Sequence, residues 1–221
     1  EGAFGPRDHP AHLLDHSLAA LAMVEAYGMT GSPIFKGSAQ KALDYLVAMR
    51  TPEGVWGGAA APGGAAEGTG GSGGKGDLLA TGLAMMPVKS ALLIDADAVR
   101  RGRPAPLAVD QTLLDAVRAF VDSATDPATG RTGSSGRGAG SPRPEGLSDR
   151  FPPETGELST AIGILARIFA GEDPRTSEAV RKGAALLAAR PPVWDPAAGV
   201  GSWTTTMARH SCSGLTARSW G

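Results

Sequence analysis

An all-α fold of stacked helical hairpins follows from three features of this 221-residue chain. Apolar residues recur at near-helical spacing in segments that begin at Asp15, Asp77 and Glu157. Each segment has a helical partner downstream, over 38–50, 112–123 and 177–190. Turn-forming residues part the segments, and two Gly-rich loops, 57–76 and 125–156, part the hairpins. One helix pair cannot bury its own apolar face, so repeated pairs predict hairpins stacked on each other.

Residues 1–14 form a leader with Gly5-Pro6 and Pro10. His9, His12 and His16 follow at spacings of four or fewer, with Asp8 and Asp15 beside them, and would share a face of a continuous helix. Imidazole and carboxylate suit zinc. Three ligands on one helix need help from elsewhere to converge, so no metal is assigned and the three histidines stand as a candidate set only.

The first helix carries Leu18, Leu21, Ala22, Met23, Ala26 and Tyr27 as its apolar stripe. Asp15 is placed as N-cap, its carboxylate accepting first-turn amides. Gly28 and the cluster Thr30-Gly31-Ser32-Pro33 predict its end. The second helix is expected from Ser38, with Ala39, Leu43, Leu46, Val47 and Met49 inward. Thr51-Pro52-Glu53-Gly54 turns the chain, and Trp56 follows as an apolar anchor.

The loop 57–76 contains Gly70-Gly71-Ser72-Gly73-Gly74-Lys75-Gly76. A phosphate loop requires Ser or Thr after the Lys and a strand before it, so this reads as a linker. The helix from Asp77 is expected to kink or break at Pro87. Asp95-Ala96-Asp97-Ala98 reads as a solvated helix end, and Arg100, Arg101 and Arg103 as a solvated basic run. Residues 112–124 form the next helix. The segment 125–156, with Arg131, Arg137, Arg143 and Arg150, reads as a lid, a partner loop or disorder. Residues 157–171 and 177–190 form the third hairpin. The tail 204–221 carries no helical stripe, and a shifted reading frame is one reading of it.

Aligned on Asp15, Asp77 and Glu157, the repeats put Leu21, Leu83 and Gly163 in register, then Met23, Met85 and Leu165. Gly54-Val55-Trp56 and Gly201-Ser202-Trp203 share one form, whereas Gly130-Arg131-Thr132 lacks the Trp.

Lys41-Ala42-x-x-Tyr45-Leu46-x-x-x-Arg50-x-x-x-Gly54-x-Trp56 resembles the QW repeat of squalene-hopene cyclases, with Arg50 where Gln is usual. Lys182-Gly183-x-x-Leu186-Leu187 with the later Gly201-x-Trp203 is a looser match. The run His16, Ser17, Ala19, Ala22, Glu25, Ala26, Tyr27 and Gly28 is similar to bacterial prenyltransferase and squalene oxidase repeat proteins. The resemblance implies part of an α/α toroid with alternating inner and outer helices. It makes Lys41, Tyr45, Gly54, Trp56, Gly201 and Trp203 structural, and puts Asp15, His16, Asp77 and Glu157 at the start of inner helices, where the three acids line a cavity or cap the helix and His16 faces the cavity or is a hydrogen-bonded inner-helix histidine. A closed toroid needs more hairpins than are seen here, which together with a chain beginning at Glu1 suggests a fragment of a single domain.

A 42% apolar fraction supports a core, and a net charge of −1 gives no footprint for nucleic acid. No uninterrupted apolar run has the length of a membrane span, because Pro87 and Lys89 interrupt the nearest, Leu78 to Ile94. The chain as given reads as soluble. A single cysteine, Cys212, excludes an internal disulfide and leaves the compartment open.

No Asp-x-Asp-Asp acid, no Asp-Asp-x-x-Asp magnesium motif and no complete zinc set appears. No cofactor is expected, and no catalytic residue is assigned. The favoured function is a non-catalytic scaffold or binding domain whose partner is a protein or an apolar small molecule. The alternative is a fragment of a terpenoid-cyclase-like enzyme whose acid lies outside this chain; Tyr27 and Phe169 would be its few inward aromatics. A metal or hydrolytic enzyme on an α/α barrel is a third class, for which nothing fixes a pair of acids.

Overall fold

The computed structural model describes residues 2–9, 11–57, 76–134, 136–139 and 157–189. They are all-α: α1 (His12–Thr30), α2 (Pro33–Ala48), α3 (Leu78–Arg100), α4 (Thr112–Ala124), α5 (Leu158–Phe169) and α6 (Glu178–Ala189). Among the described residues, β-pairing is limited to two isolated bridges, Thr125 with Thr132 and Gly136 with Ala139. The chain divides into two compact units, Glu1–Val117 and Arg118–Gly221, and the division falls within α4.

In the first unit, α1 packs along both α2 and α3. His12 meets Tyr45 and His16 meets Ala42, so α1 and α2 run antiparallel. Glu25 meets Ser90 and Gly28 meets Ile94, so α1 and α3 run parallel. The α1–α2 link is tight. α1 passes through Gly28 and ends at Gly31, whose φ of 63° is left-handed and whose N–H bonds Tyr27 O at 2.7 Å. The Ser32 hydroxyl then accepts from Ile34 N at 3.4 Å and Pro33 takes the first helical turn. The second helix therefore begins at Pro33 rather than near Ser38, because Ser32-Pro33 is a helix start and not loop.

The face that α1 buries is not the expected stripe. His12, Leu13, His16, Ser17, Ala20 and Val24 are buried, whereas Leu18 is 53% exposed. The inward polar groups are accommodated by partners: Ser17 Oγ donates to Leu13 O at 2.7 Å, and His16 is bonded at both ring nitrogens. Burying polar atoms costs little once they are hydrogen-bonded.

α3 runs unbroken through Pro87, which is itself buried. By length and composition it could cross a membrane, with a mean hydropathy of 1.4 over its apolar window. It packs along α1 and buries Ala84, Met85, Val88 and Ala91, as a core helix does. Its last turns extend past the predicted end at Ile94. There Asp97 pairs with Arg100 at 2.6 Å and Arg101 at 2.9 Å, and Asp95 accepts from Leu107 N at 2.9 Å.

The second unit holds α5 and α6 around Ala161, Ile164, Val180 and Leu187, with Ile168 and Ala184 against them. Ser177 caps α6, its hydroxyl accepting from Val180 N at 3.1 Å. The loops leaving α2 and α4 use one device twice. Thr51 N donates to Val55 O at 2.7 Å around Gly54 (φ 81°), and Asp126 N donates to Arg131 O at 2.8 Å around Gly130 (φ 76°). Each exit then bonds a threonine in the first turn of the following helix, Trp56 to Thr81 and Thr132 to Thr160.

Candidate functional site

A buried constellation of polar and aromatic side chains lies on the α1–α2 seam of the first unit. His12 and His16, one turn apart, are both buried on the side that meets α2. Their rings stack with centroids 6.0 Å apart, and Tyr45 meets both edge-on, at 5.7 and 4.8 Å. Phe4 stacks on His16 at 5.7 Å, and the Arg7 guanidinium lies 5.2 Å from the Tyr45 ring centre. His16 Nδ1 accepts the Phe4 N–H at 3.1 Å. Its proton therefore resides on Nε2, which donates to Ala42 O at 3.1 Å. Burial, opposed in part by the Ala42 bond and aided by nearby His12, holds the His16 pKa below the ordinary histidine value. His12 Nε2 is bonded to Tyr45 Oη at 3.0 Å, while its buried Nδ1 finds no partner among the described residues.

His16 thus sits inside a helix seam with both nitrogens used, not on a cavity wall. His9 is exposed and contacts Asp15 at 3.6 Å. Among the described residues no three His, Cys, Asp or Glu side chains gather as a metal site, so His9, His12 and His16 do not converge. Asp15 is exposed and lies inside the helix, because His12 N already bonds His9 O and starts α1 three residues earlier. It is a first-turn acid, favourable to the helix dipole, rather than the N-cap.

Asp77 does cap its helix, accepting from Ala80 N at 2.7 Å. Burial, only partly offset by that bond and one from Leu79, raises its pKa. The Asp77 N–H donates to Trp56 O at 2.8 Å, and Thr81 Oγ1 donates to the same carbonyl at 3.1 Å. Trp56 is fully buried and its Nε1–H donates to Leu46 O at 2.8 Å, so one side chain ties the end of α2 to the start of α3. Arg50 donates to Val47 O at 3.2 Å and meets Asp110 at 3.5 Å. Lys41 is exposed, and its carbonyl abuts Gly2. Gly201 and Trp203 lie outside the described residues.

In the second unit, Glu157 is 2% exposed and held by Arg131, with Nη2–Oε1 at 2.7 Å and Nε within 3.3 Å of both carboxylate oxygens. Thr160 Oγ1 donates to its other oxygen at 2.8 Å. The Glu157 side chain makes no cap bond to the backbone of α5. The network continues through Thr132 and Thr125, whose hydroxyls lie 3.0 Å apart, to buried Arg167, which reaches Asp122 at 2.6 Å and Glu172 at 3.0 Å. From sequence Arg131 stands only as one of the arginines of the segment 125–156, without a partner assigned, and Arg167 is not marked. An arginine inside the apolar run of α5 was the available signal for the second.

Open grooves lie among the described residues of the first unit. One, of about 910 Å³, lies among Asp44, Val47, Leu92, Val99, Leu107 and Asp110. Another, of about 740 Å³, lies among Tyr27, Met29, Leu93 and Pro104, rimmed by Lys36, Arg101 and Arg103. Met29 is 80% exposed and Leu93 58%. No protein-family model, curated protein or solved structure matches the chain.

Proposed function

We propose that the chain is part of an α/α toroid of the prenyltransferase and squalene oxidase repeat type, and that it serves as a non-catalytic scaffold or binding domain. The observation that carries this reading is how its polar groups are used. His16 spends both nitrogens on backbone groups, Asp77 caps α3, and Glu157 neutralises Arg131. His16 and Glu157 join one segment to another and Asp77 closes a helix end, which is the work of a framework. The helix directions support the toroid: parallel α1 and α3, with α2 antiparallel to α1, is how neighbouring inner helices and an outer partner would run. Leu18, Met29 and Leu93 supply exposed apolar surface for a protein partner or an apolar small molecule.

Two measurements test the reading. Thermal unfolding with a linear isoprenoid diphosphate should show no stabilisation, because a ligand that binds the folded state raises the midpoint by mass action. A clear rise would support the cyclase-like alternative instead. A co-purifying protein should be retained by the native chain and lost from the Leu18→Glu, Leu93→Glu double variant, with the far-ultraviolet circular dichroism unchanged. Equal retention by both chains would count against this surface as the binding face.

A further inference from the structure

Residues 2–9 cross the seam between α1 and α2 and are fastened at three points. Gly2 lies so close to α2 that an added Cβ would stand 2.2 Å from Lys41 O. Phe4 gives its N–H to His16 Nδ1 at 3.1 Å and stacks its ring on the imidazole. Arg7 lies over the Tyr45 ring at 5.2 Å from its centre. We propose that this segment is a proton-operated latch: neutral His16 holds it shut, and protonation of His16 releases it from the α1–α2 seam.

The central bond determines the direction of the switch. Phe4 donates to a lone pair that only a neutral imidazole has. The Nε2 proton is already committed to Ala42 O, so a second proton must land on Nδ1. There it faces the Phe4 N–H, two donors meet, and the bond is lost. Of the groups around the ring only the Ala42 carbonyl favours the new cation, and burial outweighs it. From α1 comes His12, from α2 Tyr45, and from the segment itself Arg7. The carboxylates nearest in sequence, Asp8 and Asp15, are exposed, and Asp15 turns to His9.

The pH window follows from burial. Closed, the ring is desolvated and its pKa lies below the ordinary histidine value. Opening returns water to the ring, and its pKa moves back toward about 6.5. The open form then binds the proton more tightly. The closed form is at full strength above that value and weakens as pH falls from it through the lowered pKa.

Amide exchange on the full chain tests this. After correction for intrinsic rates, Phe4 protection should fall about tenfold or more between about pH 7.5 and about pH 5. In His16→Asn, which carries an amide oxygen and does not titrate, that pH step should vanish. Gly2→Ala, which forces a side chain into Lys41 O, should leave Phe4 unprotected at both pH values. An unchanged Phe4 protection in the native chain, or a pH step that survives in His16→Asn, would overturn the latch. Nitrogen-15 shifts of His16 in the native chain give a test that needs no variant: a neutral Nδ1–H tautomer would refute it, and an Nε2–H tautomer with a protonated Nδ1 at low pH is the expected result.

Discussion

Three helix glycines sit in different surroundings and should answer differently to the same added methyl. An added Cβ at Gly37 in α2 meets nothing within 4 Å, so Gly37→Ala should stabilise by up to about 1 kcal/mol through helix propensity. At Gly28 the methyl would stand 2.7 Å from Ile94 Cδ1, the end of a side chain that can rotate, so gain and cost should nearly cancel. At Gly163 it would stand within 2.8 Å of Thr132 Oγ1, Cβ and Cγ2, and Thr132 is pinned by Thr125 and Thr160. Gly163→Ala should therefore cost about 1–3 kcal/mol despite its propensity. Urea unfolding of the three variants checks the ranking. Trp56→Phe keeps much of the ring volume but removes the indole donor from Leu46 O, which keeps the Met49 N–H, and should cost about 1–2 kcal/mol in the same assay.

Helix starts are where the acids act, and each acts through different physics. Asp77 is a cap whose burial opposes its charge. Asp77→Ala should cost about 1 kcal/mol, while Asp77→Asn, which keeps the acceptor, should be close to neutral. Because the folded pKa is raised, the native contribution is fully present below the unfolded pKa and is lost as pH rises through the folded one. The gap between native and Asp77→Asn should thus shift in favour of the native chain as pH falls from neutral. The pair at the start of α5 is asymmetric, with Arg131 30% exposed and Glu157 2%. Arg131→Met strands the deeper charge and should cost about 3–5 kcal/mol. Glu157→Gln leaves a cation that water reaches, and should cost about 2 kcal/mol. Combining Arg131→Met with Glu157→Leu should recover part of the loss; strictly additive losses would mean that the two side chains are not coupled.

Across the whole chain, acid should weaken the fold. Side-chain hydrogen bonds hold four carboxylates below the ordinary range: Asp97 by Arg100, Asp110 by Thr112, Asp126 by Thr129 and Glu178 by Lys182. A lowered folded pKa adds stability above the unfolded value and loses it as pH falls through the folded one. His16 loses its contribution at higher pH than these acids do. Urea midpoints should begin to fall near about pH 6.5 in the native chain, and later in His16→Asn. The exposed apolar residues contribute little to folding, so Leu18→Glu and Leu93→Glu should each change stability by no more than about 0.5 kcal/mol.

Periodicity and turn chemistry were enough to read six helices and the bounds of α4, α5 and α6, because helix propensity, capping serines and chain-breaking Gly and Pro are local properties. They also marked Trp56 as an anchor and offered capping as one of two readings of Asp77, and each is tied to its neighbours by bonds close in sequence. Local pattern failed where partners lie far along the chain. Which face of α1 is buried depends on Tyr45, Ala42 and Ile94. With those groups in place His12 and His16 go inward and Leu18 stays in water, the reverse of what a hydrophobic stripe suggests. The Arg131–Glu157 pair spans 26 residues, and neither charge reveals its burial until the other neutralises it. The chain's own order therefore fixes where helices form and stop. Packing fixes which way they face, because the cost of burying a polar group depends on a partner that only the assembled fold supplies.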